Sequence, residues 1–445
     1  MRPFPAPSRS FRTTSRTLSL GVLCAAGLVL PLSSLPPPAT AAPRALAAPA
    51  PADDASGSTQ SLPLADLGTP APHSTEAETE TETAPVPGTR VMPVREVRPF
   101  SLLGVVWDDP AVQLPGQVQV RTRATGSHDW SGWQDVQTHN DDLPDAESAE
   151  RRNSGVRGST APLWVGASDA VQLRIAPENA DRAPAPFPGG LRLELVDPGA
   201  ARRTERGTPA ELRPLGRSEA QAEAQAENRA QAPGPEGDRT AGKMYIGPRP
   251  RIITRAGWGA DETLREPLGP YTGPVRAAFV HHTATGNNYS CADSPSAIRA
   301  IYRYHVKSSG WRDIGYNFLI DRCGVIYEGR AGGVSKPVLG AHTLGFNTDT
   351  TGIAVLGTFT DDEPSKAAVE GIAALTAWKL GLSGADPRAM VRLTSDGSNL
   401  FRRDEIAQLH VISGHRDGYQ SACPGDLLYD QLDAARAAAA KLQGR

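Results

Sequence analysis

The sequence predicts two folded domains: an all-β, sandwich-like domain over residues 89–199 and an α/β domain over residues 246–445. The chain of 445 residues exceeds the roughly 250–300 residues that one core supports. Val-rich alternating segments fill the first region, whereas strand and helix patterns alternate in the second. The formal net charge of −3 provides no basic footprint, so we expect no nucleic-acid partner.

The first 41 residues have the composition of a secretory signal peptide. Arginines without acidic residues precede an apolar run from Leu18 to Leu30, and Ala39-Thr40-Ala41 forms a small-x-small cleavage pattern. The run is shorter than the roughly 20 residues that span a bilayer as a helix, so a signal-anchor is the weaker alternative. We therefore expect a secreted, extracellular protein without a stable membrane anchor after cleavage.

Two segments are predicted to be disordered linkers. Residues 42–88 are rich in Pro, Ala, Ser and Thr and offer no face to bury. Residues 200–245 contain Ser218–Ala230, which is Ala, Gln and Glu without an apolar stripe. Any helix there is expected to be solvated and unsupported by other elements.

The first domain is predicted from short alternating segments separated by turn clusters. Its predicted strands are Phe100–Trp107, Gln117–Arg123, Trp133–Gln137, Ala170–Ile175 and Gly190–Val196. Trp130 and Trp133 lie near His128, and they suit either a core or a sugar-binding platform. No motif decides the role of this domain.

The second domain is predicted to be layered, with helices packed on a sheet. One helix is expected to have Ser294 as its N-cap, Pro295 at its first position and Gly310 at its end. The other predicted elements are the strand Ala277–Val280, a hairpin of Tyr316–Asp321 and Val325–Glu328, the strand Gly352–Phe359, the helices Ala367–Leu380 and Leu427–Leu442, and the strand Val411–Ile412.

Three residues of this domain are candidate metal ligands: His281, His415 and Cys423. Each follows or borders a predicted strand end, where a rigid frame positions loop side chains. Two imidazoles and one thiolate suit tetrahedral zinc and leave a fourth position for water. Histidines that merely satisfy polar neighbours are the alternative on spacing alone. Because Cys24 belongs to the leader, an odd number of cysteines remains, and one thiol is spare, binds metal or pairs between chains.

Four motifs occur in order within the second domain. They are Phe279-Val280-His281-His282-Thr283, Asp313-Ile314-Gly315-Tyr316-Asn317-Phe318, Gly340-Ala341-His342-Thr343, and Gly414-His415-Arg416 with Ser421-Ala422-Cys423-Pro424-Gly425-Asp426. Together they resemble the peptidoglycan recognition protein family, also called the type 2 N-acetylmuramoyl-L-alanine amidases. The resemblance covers about residues 246–440, which is under half of the chain.

The resemblance implies a central mixed β-sheet flanked by helices, with zinc at the floor of a groove. It implies cleavage of the amide between the muramic acid lactyl group and L-alanine, with peptidoglycan or muropeptides as partners and the cell wall as a site of association. His281, His415 and Cys423 would be the zinc ligands, and Tyr316 the catalytic phenol. Because silent members typically lack the cysteine, an enzyme is favoured over a non-catalytic peptidoglycan-binding protein.

Further site residues follow from the same resemblance. Ser421 stands where some members carry Lys, so we assign its hydroxyl to oxyanion stabilisation or orientation and leave the general acid/base open. His342 matches a groove histidine, and substrate contact is favoured for it. His305 suits either packing or the groove. Trp311 and Arg330 suit contacts with sugar and stem carboxylate, or core and surface positions.

The resemblance also implies a disulfide between Cys291 and Cys323, worth roughly 3–4 kcal/mol in the chain-entropy model. Free structural thiols are the alternative. We expect His282 to have a structural role beside the metal rather than to bind it. Some members have Gly-Trp where this chain has Gly332-Gly333, so the choice between lysine and diaminopimelate stems stays open. The oligomeric state, the target wall and the physiological purpose do not follow from the sequence.

Overall fold

The computed structural model describes residues 57–65, 67–68, 86–138, 142–153, 155–177, 186–201, 209–231, 245–267 and 269–445. All of them fall within one compact unit, Pro51–Arg445. The expected signal peptide and parts of both expected linkers lie outside the described residues. Across the described ranges, no helix combines the length and apolar character that crossing a membrane requires.

The N-terminal domain is antiparallel and all-β, as the sequence predicts. Its strands are β1 (Ser58–Pro63), β2 (Arg90–Trp107), β3 (Gln117–Ala124), β4 (Gln134–Val136), β5 (Gly158–Ser159), β6 (Leu163–Ala176) and β7 (Arg192–Asp197), and helix α1 (Ala149–Asn153) lies between β4 and β5. They form one seven-stranded sheet in the order β1-β7-β2-β6-β3-β4, with β5 paired to β2. Register shifts along β2 let this long strand bend.

Strand β1 lies within residues 42–88, where we expected only a disordered linker. It pairs with β7 from Ser58 opposite Asp197 to Pro63 opposite Arg192. The next residue, Leu64, is buried in the core of the N-terminal domain. The linker expectation is therefore wrong for this stretch. Its short and mostly polar sequence has little strand character, so pairing with an existing strand decides its conformation.

The carboxyl end of β2 is buried on both faces, which explains its continuous apolar run. Leu103 belongs to the core of the N-terminal domain, whereas Leu102 and Val106 belong to a cluster shared with the C-terminal domain. Gly104 lies on the shared face, where a Cβ atom would come within 2.3 Å of the Tyr304 hydroxyl oxygen. The two domains therefore pack through a common apolar core.

The C-terminal domain contains a mixed sheet with helices on both faces, which confirms the predicted α/β class. Its strands are β8 (Glu211–Leu212), β9 (Ile252–Ile253), β10 (Ala277–His282), β11 (Phe318–Ile320), β12 (Ile326–Glu328), β13 (Thr350–Val355), β14 (Met390–Thr394), β15 (Ile406–His410) and β16 (Ile412–Gly414). Its helices are α2 (Arg217–Gln231), α3 (Arg255–Trp258), α4 (Ser294–Arg303), α5 (Lys366–Lys379), α6 (Asp426–Tyr429) and α7 (Leu432–Gln443).

The main sheet has the strand order β16-β10-β13-β11-β12-β9-β8, and β14 pairs with β15 separately. Strands β16, β10, β13 and β11 run parallel to their neighbours in this order, whereas β12 is antiparallel to β11. Helices α2, α5 and α7 cover one face. Helix α4 and the N-terminal domain cover the other. The carboxyl ends of the parallel strands therefore meet at one edge of a well-buried sheet.

The expected linker at residues 200–245 is wrong for residues 209–231. Strand β8 pairs with β9 at the edge of the main sheet. Helix α2 buries Ala220 and Ala224 in the core of the C-terminal domain, and its Glu223 accepts two hydrogen bonds from Arg249. Two alanines one turn apart form a contact stripe too narrow and too weakly apolar to mark the sequence as amphipathic.

Two helix boundaries also differ from expectation. The N-cap of α4 is Asp293 rather than Ser294, so Pro295 is the second helical residue rather than the first. The Asp293 carboxylate accepts hydrogen bonds from Ser290 instead of capping the helix. The predicted helix Leu427–Leu442 is divided into α6 and α7.

Candidate metal centre

Two neighbouring parallel strands bring the predicted imidazole ligands together. Strand β10 ends with His281 and His282, and His415 directly follows β16. The two strands are paired with Val280 opposite Gly414, so the residues that follow both strands leave the sheet at the same edge. The ring centroids of His281 and His415 lie 4.5 Å apart, and both side chains are buried.

The loop after β16 adds the third predicted ligand. Cys423 Sγ lies 3.8 Å from His281 Nδ1, and the ligand atoms of His281, His415 and Cys423 are all within 4.8 Å of one another. The backbone amide of His282 donates a hydrogen bond to Cys423 Sγ at 3.3 Å. The backbone amide of Cys423 donates to Ser421 Oγ at 3.0 Å. Both contacts orient the thiol, so His282 and Ser421 support the loop that carries it.

Several buried polar atoms at this point lack a hydrogen bond of good geometry. Among the described residues, both ring nitrogens of His415 and Oδ1 of Asp142 make no hydrogen bond. A buried polar atom left unpaired costs about 1–3 kcal/mol. Two imidazoles and a thiolate are a donor set that zinc prefers, so the residues present fit a zinc ion, which would bind one of the two ring nitrogens of His415.

His281 is oriented by residues on its other side. Its Nε2 lies 3.4 Å from Thr343 Oγ1, and this hydroxyl lies 3.0 Å from His342 Nδ1. A second partner of this kind fixes the tautomer of a metal-binding histidine. With a metal bound and the proton on Nε2, the lone pair of Nδ1 would point to the centre formed with Cys423.

Tyr316 stands beside the three predicted ligands. It precedes β11, and its ring centroid lies 5.6 Å from that of His281. Its hydroxyl donates a hydrogen bond to Asp142 Oδ2 at 2.5 Å. Burial and the adjacent carboxylate raise the pKa of Tyr316 well above its usual range, so the phenol is a hydrogen-bond donor at neutral pH.

Asp142 comes from the N-terminal domain, and the sequence analysis missed it. Its Oδ1 lies 3.0 Å from His281 Nδ1 and 3.4 Å from His415 Nδ1. Burial opposes its ionisation, but the two imidazoles and the Tyr316 hydroxyl hold the pKa of Asp142 well below its usual range. No motif marks this residue, because it lies in an acidic, turn-like run at 141–150 that is typical of a solvated loop.

His342 lies against the sheet in a fully buried position. A Cβ atom at residue 352 would come within 2.3 Å of the His342 ring, so Gly352 makes room for it. Burial and the nearby His281 lower the pKa of His342 well below its usual range. The predicted contact of His342 with substrate would therefore be made by a neutral ring.

His305 and Trp311 pack on one another, with ring centroids 4.3 Å apart. His305 Nδ1 accepts a hydrogen bond from the backbone amide of Gly315 at 3.2 Å, and burial lowers the pKa of His305 to about 3. Trp311 shares an apolar cluster with Leu143 and Val156 of the N-terminal domain. In this conformation both residues are packed rather than open to a ligand.

Arg330 forms a buried ion pair with the N-terminal domain. Its two terminal nitrogens donate to the two carboxylate oxygens of Glu150, each at 2.9 Å, and both side chains are 7% exposed. Burial opposes the charge on Arg330, but Glu150 raises the pKa of the guanidinium. The position predicted for a stem carboxylate is therefore taken here by a carboxylate of the same chain.

The space at the metal centre is small. Its volume is about 10 Å³, close to the room that one water molecule needs. Residues of both domains line it: Gln137, Asp142 and Ala161 from the N-terminal domain, and His282, Thr283, Ala284, Tyr316, His415, Ser421 and Cys423 from the C-terminal domain.

Two features away from the centre were also expected or left open. Cys291 and Cys323 form a disulfide with a Cα–Cα distance of 6.2 Å, as the family resemblance implies. In the N-terminal domain, the Arg121 guanidinium lies 5.5 and 5.2 Å from the ring centroids of Trp130 and Trp133. A second guanidinium, from Arg174, lies 4.2 Å from the Trp133 ring, so cations of the same sheet stack on both tryptophans.

Comparisons with known proteins give matches for both domains. Residues 271–426 match the N-acetylmuramoyl-L-alanine amidase family, and residues 49–202 match the Rv3811 N-terminal galactose-binding domain-like family. Peptidoglycan-recognition protein SC2 of Drosophila simulans is 30% identical over 182 residues, which cover 41% of this chain and 84% of that protein. The N-acetylmuramoyl-L-alanine amidase of Homo sapiens is 32% identical over 193 residues, which cover 41% of this chain and 28% of that protein.

The C-terminal domain therefore places the chain in the peptidoglycan recognition protein and type 2 amidase family. Among solved structures, wild-type Drosophila PGRP-LB aligns at 27% identity with a TM-score of 0.33, covering 41% of this chain and 92% of that one. This chain spans only part of some relatives: its alignment covers 28% of the human amidase and 33% of Drosophila melanogaster peptidoglycan-recognition protein LE.

Proposed function

We propose that this chain is a secreted, zinc-dependent N-acetylmuramoyl-L-alanine amidase that cleaves the lactyl–L-alanine amide of peptidoglycan. The observation that carries the proposal is the convergence of His281, His415 and Cys423 within 4.8 Å beside the Tyr316 hydroxyl. Family membership is compatible with wall binding as well as with catalysis. A complete donor set for zinc and an adjacent phenol favour catalysis over binding alone.

His281, His415 and Cys423 would hold the zinc ion. When bound, zinc supplies a Lewis acid that makes water nucleophilic near neutral pH and polarises the scissile carbonyl. Hydrolysis adds the oxygen of water to the lactyl carbonyl carbon, breaks the carbon–nitrogen bond and transfers a proton to the L-alanine nitrogen. The protein must therefore stabilise negative charge on the carbonyl oxygen.

Tyr316 and Ser421 would supply this stabilisation. The raised pKa of Tyr316 keeps its O–H available to donate a hydrogen bond as charge develops on the oxygen. Ser421 lines the same cavity, and its hydroxyl, which accepts from the Cys423 amide, retains one hydrogen to donate. Around them, His342, His305, Trp311 and Arg330 would contact the substrate once they are accessible.

Secretion is part of the proposal. The leader-like first 41 residues support it, and so does the disulfide between Cys291 and Cys323, because such bonds persist in oxidising compartments. Peptidoglycan outside the cell is the partner that this location and the family membership favour.

Digestion of purified peptidoglycan tests the proposed function. The zinc-loaded chain is incubated with peptidoglycan, and the products are analysed by mass spectrometry. The Asp142→Ala variant, which lacks the carboxylate beside His281 and His415, is treated in the same way. We expect stem peptides with free L-alanine amino termini and an uncut glycan strand, and we expect a chelator or Cys423→Ser to prevent their release. Retained wall binding without cleavage by either form would overturn the proposal in favour of a non-catalytic binding protein.

A further inference from the structure

A fourth possible ligand atom faces the candidate metal centre, and it comes from the N-terminal domain. Asp142 Oδ1 approaches His281 Nδ1 and His415 Nδ1 at 3.0 and 3.4 Å, yet it has no aligned hydrogen bond to any described residue. Close approach without such a bond is expected when several donor atoms point to a shared position rather than to each other.

Three of the separations lie within about 0.3 Å of the edges of a tetrahedral zinc site. Usual zinc–nitrogen, zinc–oxygen and zinc–sulfur bond lengths imply nitrogen–oxygen edges of about 3.3 Å and nitrogen–sulfur edges of about 3.6 Å. The corresponding separations are 3.0 and 3.4 Å for Asp142 Oδ1 and 3.8 Å for Cys423 Sγ. Asp142 thus lies where a fourth ligand belongs.

Residues 142–153, which we call the capping segment, are anchored on the C-terminal domain next to Asp142. Asp145 Oδ1 accepts hydrogen bonds from the Gly345 amide at 2.7 Å and from Asn347 Nδ2 at 2.9 Å. The same Asn347 nitrogen donates to the carbonyl oxygen of Leu143 at 3.0 Å. These contacts fix the backbone on the carboxyl side of Asp142.

A second anchor lies in helix α1, which ends the capping segment. There Glu150 accepts two hydrogen bonds from Arg330 and one from the backbone amide of Arg312 at 3.1 Å. Leu143 also packs against Trp311. The capping segment is thus held on the C-terminal domain by a buried ion pair, by hydrogen bonds and by an apolar contact.

The capping segment leaves no room for a substrate. The cavity at the centre measures about 10 Å³, whereas a muropeptide brings a sugar and a peptide to the scissile bond. The side chains of His281, His415, Cys423 and Tyr316 are all buried. A ligand of that size reaches the centre only if Asp142 and its segment move away.

We propose that Asp142 is the fourth protein ligand of the metal centre, and that the capping segment thereby holds the chain in a closed form that peptidoglycan must displace. Structural zinc sites have four protein ligands, whereas catalytic sites keep one position open. Opening requires that the Asp142 carboxylate leave the metal and that the contacts of Asp145 and Glu150 with the C-terminal domain break, without a covalent step. This inference rests on the proposed function, because both use the same zinc site.

Cobalt substitution of the full-length chain tests the fourth ligand. The visible d–d absorption of Co²⁺ reports its ligands and geometry, and azide is the probe for an open position. In the wild-type chain the tethered carboxylate competes with azide, so azide should change the spectrum only at concentrations at least about tenfold higher than in Asp142→Ala. Asp142→Asn, which keeps the side-chain size, should behave like Asp142→Ala.

Asp145→Asn is the matched control. It makes the same chemical change as Asp142→Asn three residues along the capping segment and can still accept both hydrogen bonds, so it should not respond to lower azide concentrations than wild type does. Zinc affinity, measured by competition with a chelator, should be at least about tenfold lower in Asp142→Ala than in wild type. Loss of a residue that only supports a metal ligand already causes a decrease of about this size.

The outcomes separate this inference from the proposed function. Equal azide responses and equal zinc affinities in wild type and Asp142→Ala would overturn the fourth-ligand role while leaving the zinc amidase intact. If the wild-type chain binds no zinc, or if the Cys423→Ser variant binds zinc as tightly as wild type does, the zinc site on which both proposals depend would be overturned.

Discussion

Asp142 Oδ1 in the N-terminal domain lies 3.0 Å from His281 Nδ1 in the C-terminal domain. The candidate metal centre therefore sits at a domain interface, although all three ligands predicted from the motifs belong to the C-terminal domain. Two residues predicted to meet substrate, Trp311 and Arg330, also contact the N-terminal domain. Access to the centre and packing between the domains are thus linked through the same residues.

Tyr316→Phe tests the phenol as a stabiliser of developing charge. Loss of one such donor usually lowers kcat about 100- to 1,000-fold, so we expect a decrease of this size relative to the parent chain. KM and zinc content should stay near the parent values, because the ring remains and the hydroxyl is not among the predicted metal ligands. Steady-state kinetics on a soluble muropeptide and metal analysis measure both, and unchanged turnover would remove Tyr316 from the mechanism.

Glu150→Gln should loosen the capping segment. The change leaves the buried Arg330 guanidinium without its anion, and breaking a buried ion pair typically costs about 3–5 kcal/mol. Amide hydrogen exchange within residues 142–153 should therefore become faster, and peptidoglycan cleavage should increase because the centre is exposed more often.

Glu147→Gln is the control for this change. Glu147 is 69% exposed and pairs with Arg403 on the surface, where such a pair contributes about 0–1 kcal/mol. Exchange within the capping segment should stay near the wild-type rate in this variant. Equal rates in Glu147→Gln and Glu150→Gln would mean that the pair with Arg330 does not anchor the segment.

The attachment of the capping segment should depend on pH through Asp145. Burial raises the pKa of Asp145 to about 7, and repulsion from Asp396 and Glu150 adds to this rise. Hydrogen bonds donated by Gly345 and Asn347 act in the opposite direction but do not offset it. A released Asp145 would have a pKa near 3.9. The attached form then binds more protons than the released form between about pH 4 and pH 7, so attachment is strongest below this range and weakens as the pH rises through it.

Hydrogen exchange or limited proteolysis of the segment across this range measures the effect. The released population should grow by up to about tenfold per pH unit and level off above about pH 7. The neighbouring Arg151, whose charge interacts with Asp145, stays protonated throughout and adds no slope. Asp145→Asn should flatten the profile, and an unchanged slope in that variant would assign the pH dependence to another group.

Gly104→Ala tests the shared apolar core. The new methyl would meet the Tyr304 hydroxyl oxygen at 2.3 Å, and overpacking of this kind costs about 1–3 kcal/mol. Tyr304→Phe removes that oxygen and its hydrogen bond to the carbonyl oxygen of Thr160, at a cost of about 1 kcal/mol by itself. Because the hydroxyl is part of the clash, the double variant should lose less free energy of unfolding than the two single changes summed. Additive losses in urea unfolding would contradict this packing.

Much of the C-terminal domain can be predicted from its sequence. The alternating patterns identify the strands that carry His281 and His415 and the hairpin that follows Tyr316, because buried strands and amphipathic helices have distinct periods. The motifs also single out Cys423. Strand β1 and helix α2 are harder, since their few apolar side chains become buried only by contact with elements that lie far along the chain.

The sequence by itself determined the α/β class of the C-terminal domain, its family and the three side chains that converge at its sheet edge, because local periodicity and contiguous motifs encode each of these. Only the tertiary structure decided that Asp142 faces those side chains and that Glu150 pairs with Arg330. Contacts between loops of two domains depend on how the domains pack, and packing of that kind leaves no periodic pattern in an acidic, turn-like stretch.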